Sequence, residues 1–183
     1  MCERHVPHLL DDYVDKHKGT RAWIIGNGPS LNKIDMTLLR DEVTFGSNRL
    51  YLGFSDWNFA TQYWSVLDSL QCEQSMREWE MNIPDETVKL LPFEYMNLFQ
   101  IQNMCPVNFY PAGHPECKTN FMDPLNAKEL AKSFNFSNKP DVVYLGHNVL
   151  YALLQAAVIM GCDPIYLVGV DHNYKISKKD QKR

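Results

Sequence analysis

The sequence predicts an α/β fold built on a mainly parallel sheet. Three observations carry that reading. Short runs rich in Val, Ile and aromatic residues recur along the chain and end in turn residues, as buried strands do. Helical stretches separate these runs, and strands that alternate with helices form parallel sheets covered on both faces. The last third shows the pattern most clearly: an apolar helical run Val149–Met160, Gly161 as its stop, then the run Ile165–Val170 ending in Asp171.

Taken in order, residues 1–20 read as a helical lead-in, with Leu9, Leu10, Tyr13 and Val14 at helical spacing and Gly19 as the stop. Arg21–Ile25 is the first strand. It is cut by Gly26-Asn27-Gly28-Pro29-Ser30, whose glycines permit a tight turn and close approach of a ligand to the backbone. Pro29 suits a first helical turn, and Ser30 is the N-cap candidate. Asp35 caps a short helix, Met36–Arg40, and Val43–Ser47 is the second strand, followed by Asn48. Tyr63–Leu67 is the third and ends in Asp68-Ser69. The aromatics Phe54, Trp57, Phe59, Tyr63 and Trp64 read as core around it rather than as a base-stacking platform. Ser69–Met81 is an amphipathic helix with Leu70, Met76 and Trp79 on its apolar face. Thr87–Leu91 and Val107–Tyr110 follow as strands, the latter bounded by Pro106 and Pro111. Residues 112–140 turn to Asn, Pro, Lys and Phe and read as a lid-like insertion with a short helix at Ala127–Phe134. The whole is one Rossmann-like domain over 1–183, a three-layer α/β/α arrangement without internal repeats.

Composition narrows the function classes. The 183 residues suffice for one domain with a substantial core, and 45% hydrophobic with 22% charged residues is ordinary globular usage. A net charge of −4 and a pI near 5.8 do not indicate a nucleic-acid surface. The basic cluster Lys175, Lys178, Lys179, Lys182 and Arg183 reads as a solvated tail. The five cysteines, Cys2, Cys72, Cys105, Cys117 and Cys162, form no Cys-x-x-Cys pair. They suit free thiols in a reducing cytoplasm. The polar N-terminus does not resemble a signal peptide, and the apolar run around Ala156–Met160 is too short to span a bilayer. His114-Pro115-Glu116-Cys117 has ligand-type residues but no second pair to complete a metal site.

In a parallel sheet, ligands bind at the carboxyl ends of the strands. The residues placed there are Asn27, Asn48, Asp68, Gly146, His147, Asn148 and Asp171. The junction Gly26–Ser30 predicts backbone N–H groups and a helix start that favour a phosphate. It is not a dinucleotide fingerprint, because Leu31 stands at the third glycine position and Asn48 where a ribose-binding acid belongs. Without Gly-Lys-Ser/Thr it is not a P-loop either. Asp68 and Asp171 read equally as metal or base carboxylates and as caps after strands, and Asp171-His172 alone is two ligands rather than a site.

Two segments carry a resemblance. Ile25-Gly26-Asn27-Gly28-Pro29-Ser30-Leu31, with Asn48, is similar to the opening of the bacterial lipooligosaccharide sialyltransferases. Gly146–Tyr174, with Met160-Gly161 and Ile165-Tyr166-Leu167-Val168-Gly169-Val170-Asp171-His172, resembles the same fold and more closely the MptE-like domain family. That family includes flagellin-modifying glycosyltransferases and an archaeal 6-hydroxymethylpterin diphosphokinase. The resemblance covers about a third of the chain and implies a nucleotide-binding transferase. In the sialyltransferase reading Asn27, Gly28 and Asn48 hold the CMP part of a CMP-sugar, Gly146–Asn148 lie near the donor phosphate, and no divalent metal is required. His147 is not part of that motif, and Asp68 stands where those enzymes have Asn. They also place lid tyrosines and a general-base His after the last strand. Here only His172, Tyr174 and the basic tail follow, which reads as a truncated enzyme or a different chemistry, with Asp171, His172 and Tyr174 as the catalytic candidates. The diphosphokinase reading instead uses ATP and Mg²⁺ held by Asp68 and Asp171. A third reading is a nucleotide-binding domain without turnover. The oligomeric state is not legible.

Overall fold

Six strands form one all-parallel sheet. They are β1 (Ala22–Ile25), β2 (Val43–Ser47), β3 (Tyr63–Ser65), β4 (Val88–Pro92), β5 (Met104–Val107) and, after two short strands, β8 (Ile165–Val168). Their order is β5-β4-β3-β2-β1-β8, so the chain steps outward from β1 and then returns to its other side. The computed structural model describes residues 9–95, 102–110, 136–146 and 148–171. The predicted α/β fold with a parallel sheet is therefore present. Among the described residues, no helix is long and apolar enough to cross a membrane.

The topology explains where the helices lie. Parallel crossovers are right-handed, so a chain that winds one way and then the other puts its connections on opposite faces. Side chains alternate accordingly. Ala22, Ile24, Phe45, Tyr63, Leu90 and Cys105 belong to one buried cluster, with Ala152, Leu153 and Ala156 of α3 (Val149–Ile159). Ile25, Trp64, Val66 and Leu91 belong to a second, with Cys72 and Trp79 of α2 (Ser69–Asn82) and Phe54 of α1 (Phe54–Trp57). The aromatics around β3 are core, as expected: Phe54, Tyr63 and Trp64 are buried, with Trp57 and Phe59 packed against them.

Several elements differ from the expectation. Within the described part of the lead-in, residues 9–20, the helical element is a 3-10 turn, Leu10–Tyr13. Leu10 and Tyr13 reach the core, whereas Leu9 and Val14 are about half exposed at 47% each. Two anchors suffice to seat the segment, and Asp15 at φ 55 prevents helix propagation before Gly19. The predicted fifth strand is two strands. β5 ends at Val107, and β6 (Phe109–Tyr110) pairs in parallel with β7 (Val143–Tyr144) in a separate sheet. Pro106 lies inside β5 rather than bounding it. This is admissible because β5 is an edge strand and pairs only with β4 on one side. On α2 the inward residues are Cys72 and Trp79, one heptad apart, while Leu70 is exposed. The third strand ends at Ser65 and the last at Val168, both shorter than expected. The lid-like segment and its helix at Ala127–Phe134 fall almost entirely outside the described residues.

α3 is apolar nearly all round, with one informative exception. Gln155 is fully buried, and its amide bonds four backbone groups: Oε1 accepts the N–H of Ser137 and Tyr144, and Nε2 donates to the carbonyls of Tyr144 and Tyr151. One side chain thus ties α3 to β7 and to the segment before it.

Candidate functional site

The site is built where the sheet changes winding direction, between the carboxyl ends of β1, β2 and β8. Strand neighbours diverge there and leave a crevice. A cleft of ≈ 380 Å³ opens at this place, lined by Asn27, Gly28, Pro29, Ser47, Asn48, Asn148, Val149, Leu150, Gly169, Val170 and Asp171. A second hollow of ≈ 290 Å³ shares Asn48, Asn148 and Val149 with it and adds Leu67, Asp68, Gln71 and Leu145. Together they form a two-lobed groove with Asn48 and the start of α3 at its waist.

The turn after β1 is stitched to the end of β8. Gly26 N–H donates to the Val168 carbonyl and Gly28 N–H to the Gly169 carbonyl, both at 2.8 Å. A Cβ on Gly26 would fall on the Gly169 carbonyl, and one on Gly28 would sit 2.6 Å from both that oxygen and Asp171 Oδ2. Gly169 itself has φ +66 and Leu31 against its missing side chain. These glycines are thus required by the chain's own close approach. Gly28 lines the cleft as expected of it, but the N–H groups of Gly26 and Gly28 bond within the chain.

The capping of the next turn is corrected as well. Ser30 is not the N-cap: Gly28 is, with Pro29 as the first residue of a 3-10 helix, Pro29–Lys33. Proline pre-sets φ for a first helical position, so the turn begins one residue before Ser30 can cap it. The Ser30 N–H donates instead to Asp171 Oδ2 at 2.8 Å. The place where a phosphate was expected holds a carboxylate of the protein. Hydrogen bonding from the Ser30 hydroxyl and N–H keeps the Asp171 carboxyl below its ordinary pKa, with Lys33 adding to the effect.

The other expected residues divide by role. Asn27 and Asn48 line the same lobe, just past the carboxyl ends of the adjacent strands β1 and β2. Asn27 Nδ2 donates to the Ser47 carbonyl at 3.2 Å and thereby clasps the two strand ends. Asn48 adopts φ 52, a conformation that Asn tolerates well, and its carbonyl accepts the Trp64 indole N–H at 3.0 Å. Its backbone is thus fixed, and the residue lines both lobes. Asp68 caps α2, Oδ1 accepting from Leu70 and Gln71. Asn148 caps α3, Oδ1 accepting from Leu150 at 2.9 Å. Gly146 has φ +51 and lies against the Tyr151 ring, which leaves no room for a side chain. His147, His172 and Tyr174 lie outside the described residues.

Asp68 and Asp171 do not come together as a ligand pair, since each lines a different lobe. Among the described residues, no group of three or more His, Cys, Asp or Glu side chains converges on a point that would hold a metal ion.

Lining residues not among the predicted site residues are Ser47, Val149, Leu150, Gly169 and Val170 and, in the second lobe, Leu67, Gln71 and Leu145. Gly169 carried a usable signal: a glycine inside an apolar strand pattern marks a bend or a close backbone approach. Ser47 and Gln71 carried none. Comparison of the chain with family models, with curated proteins and with solved structures returns no match.

Proposed function

We propose that this chain is a sialyltransferase-like glycosyltransferase domain whose groove holds a nucleotide-activated sugar, a CMP-sugar in the first instance. The observation that carries the reading is the two-lobed groove at the sheet's switch point, with the Asn48 amide at its waist. Two joined lobes suit a ligand with two parts, a nucleoside and a sugar. Asn48 can donate and accept without adding charge beside a phosphate. In the reaction an acceptor oxygen forms a bond to the anomeric carbon while the bond from that carbon to the phosphate oxygen breaks, and the nucleoside monophosphate leaves. Asn48 and Asn148 orient the donor. Asp171 is poorly suited as the base, because the contacts that hold its carboxyl low reduce its affinity for the acceptor's proton. The resemblance in Ile25–Leu31 and Gly146–Tyr174 supports the same class of ligand.

The test is a melting-temperature screen with CMP, CDP, UDP and ATP, each with and without Mg²⁺. A ligand at a hundredfold its Kd stabilises by about 2.7 kcal/mol, enough to see in any thermal assay. A rise with a cytidine nucleotide that does not depend on Mg²⁺ is expected. A rise with ATP alone that requires Mg²⁺ would replace this reading with pyrophosphoryl transfer. No shift with any nucleotide at millimolar concentration would remove nucleotide binding altogether.

A further inference from the structure

Among the described residues, the charged side chains that line the groove are not those of a phosphate-binding site. Among the described residues, only Asp68 in one lobe and Asp171 in the other carry charge, and both are anions. No described Lys or Arg lines either lobe, and Lys33, whose charge reaches Asp171, is not a lining residue. The N–H groups of Gly26, Gly28 and Ser30 are already taken by Val168, Gly169 and Asp171. The polar side chains that line the groove among the described residues are carboxylates, amides and the Ser47 hydroxyl. Asp68 accepts from two backbone N–H groups and Asp171 from Ser30, while a carboxylate offers about four lone-pair positions. Both carboxylates are pre-oriented by these caps and keep acceptor capacity toward the groove.

Resting on the proposed nucleotide-sugar reading, we infer that the groove selects its ligand through hydroxyl groups. Asp68 and Asp171 accept hydrogen bonds from a ribose or sugar diol, one in each lobe, and the phosphate contributes little to binding. Hydroxyls donate to carboxylates in strong charge-assisted bonds, whereas a phosphate beside two fixed carboxylates meets like charge. Asp68 and Asp171 are on this reading specificity-determining residues. They set a preference for ribosides over deoxyribosides and for sugar esters over free phosphates.

The experiment is isothermal titration of the full chain with whichever of CMP, UMP, AMP and GMP binds best, then with its nucleoside and 2′,3′-dideoxynucleoside, and with inorganic phosphate and pyrophosphate. The nucleoside should bind within about tenfold of the nucleotide, a difference small for the loss of a charged group. The dideoxynucleoside should lose about tenfold or more, the cost of one hydrogen bond to an ionised partner. Phosphate and pyrophosphate should give no heat. Of Asp171→Asn and Asp68→Asn, each checked for native circular dichroism, the one in the lobe that holds the ribose should weaken nucleoside binding. Under phosphate-led binding the same variants would bind the nucleotide more tightly, because each removes a repelling charge. Nucleotide binding with no nucleoside binding, or tightening in both variants, overturns this inference and leaves the proposed function standing. Absence of binding by every nucleotide and nucleoside overturns the proposed function, and the inference with it.

Discussion

Gly28→Ala tests the seam between the first turn and β8. Gly28 has φ −76 and ψ 150, which alanine adopts freely, so the substitution carries no backbone strain of its own. The added Cβ would lie 2.6 Å from the Gly169 carbonyl oxygen and 2.6 Å from Asp171 Oδ2. The carboxylate is the end of a flexible side chain and can swing aside. The carbonyl belongs to the backbone and accepts the Gly28 N–H, so the two strand ends must part. Overpacking of this kind costs about 1–3 kcal/mol. Loss of the Gly28–Gly169 hydrogen bond adds about 1 kcal/mol. The stiffer unfolded chain returns about 0.4–1 kcal/mol. The net expectation is a destabilisation of about 2 kcal/mol, or roughly 4–8 °C in Tm for a domain of this size. Urea unfolding followed by tryptophan fluorescence measures it. Gly19→Ala serves as control: nothing crowds that site, but its φ of +69 makes a side chain strained, at about 1–2 kcal/mol. A Gly28→Ala protein as stable as the parent, or more stable, would refute the reasoning, for then only the chain-entropy contribution is acting and the seam is not tight.

Other expectations concern the groove and its supports. Asn48→Asp should reduce nucleotide affinity severalfold while Tm changes little, since the Asn48 contact that fixes the fold is its backbone carbonyl. Calorimetry gives the first and thermal unfolding the second. Gln155→Leu leaves the N–H and C=O of Tyr144 and the N–H of Ser137 without the amide that bonds them, and should cost about 3 kcal/mol or more in urea unfolding. Burial, with Lys16 adding to it, holds the His17 imidazole below its ordinary pKa. Near pH 6 the unfolded chain therefore binds more protons than the folded one, so this contribution is full above pH 6.5 and is lost as the pH falls through and below that value. Stability measured from pH 7.5 to 5 should decline less in His17→Gln than in the parent.

The first strand was legible because β1, Ala-Trp-Ile-Ile and largely buried, is written as a continuous apolar run cut by turn residues. The cap Asp35 was legible because a cap is a local contact, two residues from the N–H it satisfies. The seam was not. Ser30 and Asp171 lie 141 residues apart, and no local pattern says which carboxylate will reach which turn. The same distance misled the reading of Gly26 and Gly28. A glycine demanded by a ligand and one demanded by a neighbouring strand look alike in sequence, and the neighbour was β8. Asp68 and Asp171 were open between caps and ligands, and both bond backbone N–H groups in the fold. Pro106 was taken as a boundary because only the strand order shows that β5 is an edge.

The two edges of the sheet are unlike. β5 is buried at every residue, whereas β8 leaves Tyr166 43% and Leu167 54% exposed, on opposite faces of the strand. β8 reads Ile-Tyr-Leu-Val, without a charge, a proline or a bulge to deter pairing, and its outer N–H and C=O groups face away from β1. Such a rim is a template for one more extended chain. Among the described residues no strand pairs with this rim, and strand-by-strand self-association at high protein concentration is expected to start there. A lysine at Leu167, pointing to solvent, is the single change that would guard it.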